Sequence, residues 1–177
     1  GDPDVFGHNN SNTAKINNTA VFTQVDFTSE FANFTAGIRH DQPSIVNSTM
    51  VPRIGITKVV GSGHMKALYA KAFRAPVIEN ISLNEDIKPE LTTTGEVEFG
   101  YQFNRDINWT LNFFSTKVSN AIVYSYDTVL DEENYNNYDY VKTLGIETEV
   151  NLKHKIHDIK VNYSTYKVDS LNAIPYE

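Results

Sequence analysis

The chain contains no cysteine. Disulfide frameworks, thiol catalysis and cysteine-ligated zinc are therefore excluded together, while the redox compartment stays open, since an absent residue fits reducing and oxidising settings alike. It also lacks an excess of positive charge, because 15 Lys and Arg stand against 22 Asp and Glu, a net charge of −7 over 177 residues. A nucleic-acid partner demands clustered cations facing phosphates, so that class of function is set aside. No apolar run approaches the ~18 to 20 residues that a spanning helix needs, and no charged-then-apolar signal opens the chain. The expectation is a protein that is soluble or that meets a membrane through strands. What is present, 40% hydrophobic and 12% aromatic residues, is enough for one ordinary domain.

The hydrophobic period is two nearly everywhere. Val97, Phe99, Tyr101 and Phe103 share one parity, against Glu96, Glu98, Gly100 and Gln102 on the other. From Ile107, Trp109, Leu111 and Phe113 alternate with Asn108, Thr110 and Asn112. Farther on, Leu144, Ile146, Thr148, Val150 and Leu152 alternate with Gly145, Glu147, Glu149 and Asn151. Similar stretches rich in β-branched and aromatic residues lie near Ala20 to Phe27, Asn33 to His40, Val51 to Val60, Met65 to Arg74 and Asp158 to Asp169. About eight strands are expected, and no window carries a 3.6-residue period, so helix content should be low.

The connections sharpen this. Tight ones are expected around Thr28 to Ala32, Gly61-Ser62-Gly63, Asn104-Arg105-Asp106 and Lys153 to His157. Longer ones are expected at Asp41 to Met50, Ala75 to Leu91 and Ser125 to Asp139, after a leading segment, Gly1 to Asn18. Short and long connections then alternate strictly, as in an antiparallel up-and-down meander of a transmembrane β-barrel with short turns on one side and longer loops on the other. An antiparallel soluble sheet shows the same alternation of apolar and polar residues, so parity alone separates the two weakly. The expected organisation is residues 1–18 as an extracellular loop or irregular segment, 19–170 as barrel strands and loops, and 171–177 as the start of a further loop.

Several passages are similar to signatures of the TonB-dependent outer-membrane receptor family, gated barrels that take up scarce nutrients. Pro52-Arg53-Ile54-Gly55-Ile56 through Lys66-Ala67-Leu68-Tyr69-Ala70-Lys71-Ala72-Phe73-Arg74-Ala75-Pro76 resembles the passage "PR-G … L-A-Y-AFRAP", and Ile87-Lys88-Pro89-Glu90 resembles "LKPE". Thr35-Ala36-Gly37-Ile38-Arg39-His40-Asp41 resembles "TAGLRYD", and Gly145-Ile146-Glu147-Thr148-Glu149 resembles the "GxExE" strand. The resemblance runs from about Thr19 to Asp169, in family order. It implies a barrel of about 22 strands around a folded plug, of which this chain would supply about eight and no plug.

By that resemblance the chain is part of a receptor that imports a bulky nutrient, most often a ferric siderophore, across the outer membrane of a Gram-negative bacterium. No bond is made or broken, so the protein is expected not to be an enzyme, with no cofactor and no resident metal. The implied partners are outer-membrane lipid, the receptor's own plug domain and remaining strands, the TonB complex acting through the plug, and the ligand. Two alternatives remain: a complete small eight-stranded outer-membrane barrel, or a soluble β-sandwich adhesion or carbohydrate-binding module.

Candidate site residues follow. The 125–139 segment combines Asp127, Asp131, Glu132 and Glu133 with Tyr126, Tyr135 and Tyr138, and Tyr140 stands at its exit. The tyrosines either stack on a captured solute or belong to the aromatic girdle at the membrane boundary. The acids lack calcium-loop spacing. Arg74 either grips an anionic ligand bidentately or pins its loop through a carboxylate such as Glu90. Glu96, Glu98, Glu147 and Glu149 are expected to face the lumen, paired with cations or contacting a plug, and Val97, Phe99, Trp109, Leu111 and Phe113 to face lipid. His154 and His157 read as a solvated turn, since a strand turn lacks the geometry that brings two imidazoles to one metal. Gly61-Ser62-Gly63 reads as a hairpin turn.

Overall fold

The computed structural model describes residues 15–128 and 131–171. The outer parts of the expected terminal segments, 1–14 and 172–177, lie outside the described residues. Eight strands form one sheet in chain order: β1 (Asn18–Thr28), β2 (Asn33–Pro43), β3 (Thr49–Val60), β4 (Gly63–Arg74), β5 (Glu90–Gln102), β6 (Ile107–Asp127), β7 (Glu132–His154) and β8 (His157–Leu171). Every neighbouring pair is antiparallel. One short helix, α1 (Ile78–Leu83), lies between β4 and β5. This is the meander expected from the period of two.

Turn chemistry explains the tight ends. Val60 and Gly63 pair across Gly61-Ser62, where Gly61 adopts φ 57°, the left-handed conformation that two-residue hairpins require. His154 and His157 pair across Lys155-Ile156, where Lys155 reaches φ 53° without a glycine's freedom. At 103–106, Asn104 Oδ1 accepts from the amides of Asp106 and Ile107 at 2.8 and 2.9 Å, the side-chain turn that asparagine supplies.

The expected strict alternation of short and long connections is corrected. The long loop expected at Ser125 to Asp139 is almost all strand. β6 runs to Asp127 and β7 starts at Glu132, so a tall hairpin replaces the loop. Likewise β2 continues to Pro43 and β3 begins at Thr49, leaving 44–48 as the connection. Only 75–89 is long, and it contains α1. The physical reason is that this hairpin stands beyond the apolar rows, where neither face has to be hydrophobic. It therefore carries Asn, Asp, Glu and Tyr without an apolar stripe, and its composition reads as loop.

Residues directly across an antiparallel ladder share a face. One face carries the row Met65–Phe99–Leu111–Thr148–Tyr163 and, beside it, Ala67–Val97–Phe113–Ile146–Thr165. The other carries Thr57–Lys66–Glu98–Asn112–Glu147–Ser164. The sheet is a single layer. Ala32 and Ile87 are the only buried hydrophobic residues among those described, while Phe27, Ile54 and Val161 stay 61%, 56% and 62% exposed. A soluble sandwich would have to cover that face with a second sheet about 10 Å away, and none is present among the described residues. Nor do the strands close into a small barrel, because β1 and β8 stand at opposite ends of the strand order, each paired on one side.

Candidate functional site

On the apolar face the indole N–H of β6 is satisfied by a side chain of β7. Trp109 Nε1 donates to Thr148 Oγ1 at 2.8 Å, and that hydroxyl donates to the Thr110 carbonyl at 3.0 Å. A threonine among the apolar residues of β7 is thereby sealed off, as a hydrocarbon environment demands. Aromatic rings gather at the end of the short turns. Tyr101 and Phe103 meet edge-on at 5.0 Å, Phe27 and Phe34 lie 6.3 Å apart, and Lys58 Nζ stands 3.6 Å over the Phe31 ring.

The polar face holds the four glutamates, but not as a uniform ladder. Glu98 receives both Lys66 Nζ at 2.7 Å and His64 Nε2 at 2.8 Å on one oxygen. Glu147 accepts from Ser164 Oγ at 3.4 Å. Asn112 lies in the row between Glu98 and Glu147, and its Oδ1 is buried without a donor. Glu96 and Phe114 are opposite each other, and the Phe114 ring lies over Gly145, where a Cβ would come within 2.3 Å of Cζ.

At the far end of the same face, Arg74 Nε donates to Glu90 Oε2 at 2.5 Å, and Glu90 Oε1 accepts from the Ile122 amide at 2.7 Å. The structure thus shows the Arg74 to Glu90 pairing considered from the sequence, and adds the tie to β6. Asn120, two residues before Ile122, adopts φ 54°. Burial alone would raise the Glu90 carboxyl. The hydrogen bonds from Arg74 and Ile122 outweigh it and hold the group below the usual glutamate range.

The 75–89 connection is fastened to the tall hairpin. Asn84 Nδ2 donates to the Tyr135 carbonyl at 2.7 Å, and Tyr135 Oη donates to Glu79 at 2.8 Å. Asn137 accepts from the Lys88 amide at 2.6 Å and donates to the carbonyls of Lys88 and Asn120 at 2.9 and 2.8 Å. No sequence signal marked Asn137 or Asn84 for these roles. The tyrosines expected as one cluster are divided between the two faces. Tyr135 is opposite Tyr124, their rings 5.6 Å apart and edge-on, and Tyr126 is opposite Glu133, all on the polar-face parity. Tyr138 is opposite Ala121 and Tyr140 opposite Ser119, on the apolar-face parity.

Hydrogen bonding of the Tyr126 hydroxyl to Asp131 raises its phenol, as the bond to Glu79 raises that of Tyr135. Desolvation, followed by the hydrogen bond to Glu133, raises that of Tyr124. All three are therefore neutral hydroxyls at physiological pH. Arg74, paired with Glu90 at the start of β5, remains 63% exposed. Among the described residues no group of three His, Cys, Asp or Glu is placed to hold a metal ion, and no helix is long and apolar enough to cross a membrane.

A single-layer, antiparallel, up-and-down sheet with one apolar and one polar face defines the wall of a transmembrane β-barrel. The chain belongs to the family described as TonB dependent receptor-like, beta-barrel, which matches residues 1–176. Among solved structures it is similar to the FrpB iron transporter of Neisseria meningitidis, at 17% identity and a TM-score of 0.72 over 88% of this chain and 26% of that one. It is also similar to the siderophore receptor PirA of Acinetobacter baumannii, at 16% identity and 0.75 over 85% and 27%. A third is the copper transporter OprC, at 17% and 0.66 over 86% and 28%. This chain spans between 26% and 28% of the length of these three structures, and at such identities the likeness concerns the fold. A search of curated proteins finds no matching relative.

Proposed function

We propose that this chain forms part of the wall and outer loops of a TonB-dependent receptor that imports a metal chelate, foremost a ferric siderophore, across a bacterial outer membrane. The observation that carries the reading is the family match over residues 1–176. In this arrangement Val97, Phe99, Trp109, Leu111 and Phe113 face lipid, and Glu96, Glu98, Glu147 and Glu149 face the lumen and its plug. The end bearing the tall hairpin and the 75–89 connection is extracellular. The TonB complex acts through the plug, and the wall performs no chemistry on the cargo.

Arg74, Tyr126 and Tyr135, with Tyr124, are the ligand contacts. The rings stack on the ligand while each phenol proton stays with its carboxylate, and the guanidinium grips an anionic chelate. Tyr138 and Tyr140, on the opposite parity, belong to the girdle. A copper-bearing ligand is the second reading, favoured by the likeness to a structure named as a copper transporter. The test uses the whole polypeptide that carries this chain, expressed in a strain lacking its own siderophore receptors. Growth on ferric siderophores as sole iron source is expected, abolished when TonB is deleted, with ligand affinity weakened about two- to tenfold by Tyr135→Ala, one stacking contact being worth about 0.5 to 1.5 kcal/mol. Growth on none of a panel of ferric chelates, with copper uptake intact, would replace iron by copper.

A further inference from the structure

Lysines stand on the apolar face where hydrocarbon should give way to headgroups. The ladders place Lys71 opposite Thr93, Thr93 opposite Lys117, Lys117 opposite Lys142, and Lys142 opposite Asp169, a single row across five strands. Lys167, opposite Leu144, adds a fourth cation one step below. This row is on the parity of Leu111, Phe113, Ile146 and Val97, not on that of the lumen-type glutamates.

Its level follows from strand geometry. Ile107 to Lys117 on β6 and Leu152 to Lys142 on β7 cover equal lengths of strand. At about 3.4 Å per residue and a tilt near 40° that is about 26 Å of height, against an apolar band of about 25 Å. The lysines therefore mark the rim of the band at the tall-hairpin end.

Among the described residues none of the four lysines forms an ion pair; Asp169 makes none with Lys142, and Lys117 Nζ instead lies 4.4 Å from the Tyr140 ring. Like charges directly opposite each other on a ladder are destabilising, and Lys117 and Lys142 are such a pair. An anion with more than one negative charge between the two ammonium groups reverses the sign of that interaction. A phosphate monoester, which carries about −1.5 to −2 at neutral pH, has that charge.

We propose that Lys117 and Lys142, flanked by Lys71 and Lys167, form a binding site on the outside of the wall for the phosphate groups of outer-leaflet lipid. The proposal rests on the outer-membrane placement above. The lysine stems lie along the apolar face while the ammonium groups reach the headgroup layer. The site is separate from the ligand cluster of Arg74 and Tyr135, which belongs to the other face.

The experiment reconstitutes the whole polypeptide into phosphatidylcholine nanodiscs containing either bis-phosphorylated lipid A or its dephosphorylated form. Retained lipid A is counted by native mass spectrometry after detergent extraction. The unsubstituted protein is expected to retain the phosphorylated form preferentially. The double variant Lys117→Gln, Lys142→Gln should retain it about thirtyfold less, at about fivefold per lysine near a charged surface. Lys66→Gln, on the polar face, should retain it as the unsubstituted protein does. Equal retention of both lipid forms, or full preference in the double variant, overturns the proposal. So does displacement of lipid A by an equal concentration of inorganic phosphate, which would make the pair a general anion site. A protein that inserts as a folded barrel but shows no phosphate preference defeats this inference alone. One that does not insert defeats the membrane placement and the inference with it.

Discussion

Leu111→Arg and Asn112→Arg are adjacent substitutions with opposite consequences. Leu111 shares its row with Phe99 and Met65 on the apolar face, about 10 Å above Ile107 and about 16 Å below Lys117 along the barrel axis, close to mid-band. A guanidinium there meets hydrocarbon, which costs about 2 to 4 kcal/mol, or about thirty- to a thousandfold in the folding equilibrium. Asn112 occupies the opposite parity between Glu98 and Glu147, with an Oδ1 that finds no donor. Arginine at 112 removes that orphan acceptor and sets a cation between two carboxylates, so its effect should lie within about 0.5 kcal/mol of neutral or be stabilising. The assay is reversible urea unfolding of the whole polypeptide in phosphatidylcholine vesicles, followed by the fluorescence of Trp109 and by heat-modifiable migration. A cost at 112 equal to that at 111, or none at 111, would refute the assignment of faces and with it the placement of this sheet in a membrane.

Three further outcomes test other parts of the structure. Thr148→Val leaves the Trp109 indole N–H unpaired on the apolar face and should destabilise by about 1 to 3 kcal/mol in the same unfolding assay, with Thr148→Ser restoring most of it. Gly145→Val drives a side chain into the Phe114 ring and should destabilise by about 1 to 3 kcal/mol. Adding Phe114→Ala should recover part of this in a double-mutant cycle, and strict additivity would show that ring and glycine do not meet. Glu90→Gln should speed hydrogen exchange at the Ile122 amide and in the tall hairpin. Because the Glu90 carboxyl is held low in the folded state, its contribution is complete above about pH 4.3 and is lost as pH falls through the lowered value. Exchange at Ile122 that is flat across that range would discount the clasp.

How much was legible varies from element to element, for identifiable reasons. The strands from Glu90 to Gln102 and from Ile107 to Phe113 could be read because each buries one parity and solvates the other, a contrast that survives in one dimension. Gly61 announced its turn, whereas Lys155 adopts the same left-handed conformation with a side chain that carries no such signal. The tall hairpin was hidden because Asn134, Asn136 and Asn137 in a strand without an apolar stripe look like loop residues. Its stability comes from cross-strand partners and from the 75–89 connection leaning on it. Arg74 and Glu90 were legible as a pair of opposite charges flanking one loop, but the third member, the Ile122 amide, lies 32 residues from Glu90.

The sequence by itself determined what depends on neighbours along the chain: a β-protein without cysteine chemistry, its strand parities, several of its turns and the motifs that mark its family. Those properties are local, because a side chain's face alternates with every residue and a turn is settled by two or three positions. Only the tertiary structure decided what depends on register between strands. It showed that Tyr124 is opposite Tyr135 and Tyr126 opposite Glu133, that Glu98 is held by Lys66 and His64 while Asn112 is left with an orphan oxygen, and that Lys117 and Lys142 are opposite each other at the rim of an apolar band. Register is a relation between distant segments, and a shift by one residue would have broken every one of these pairings.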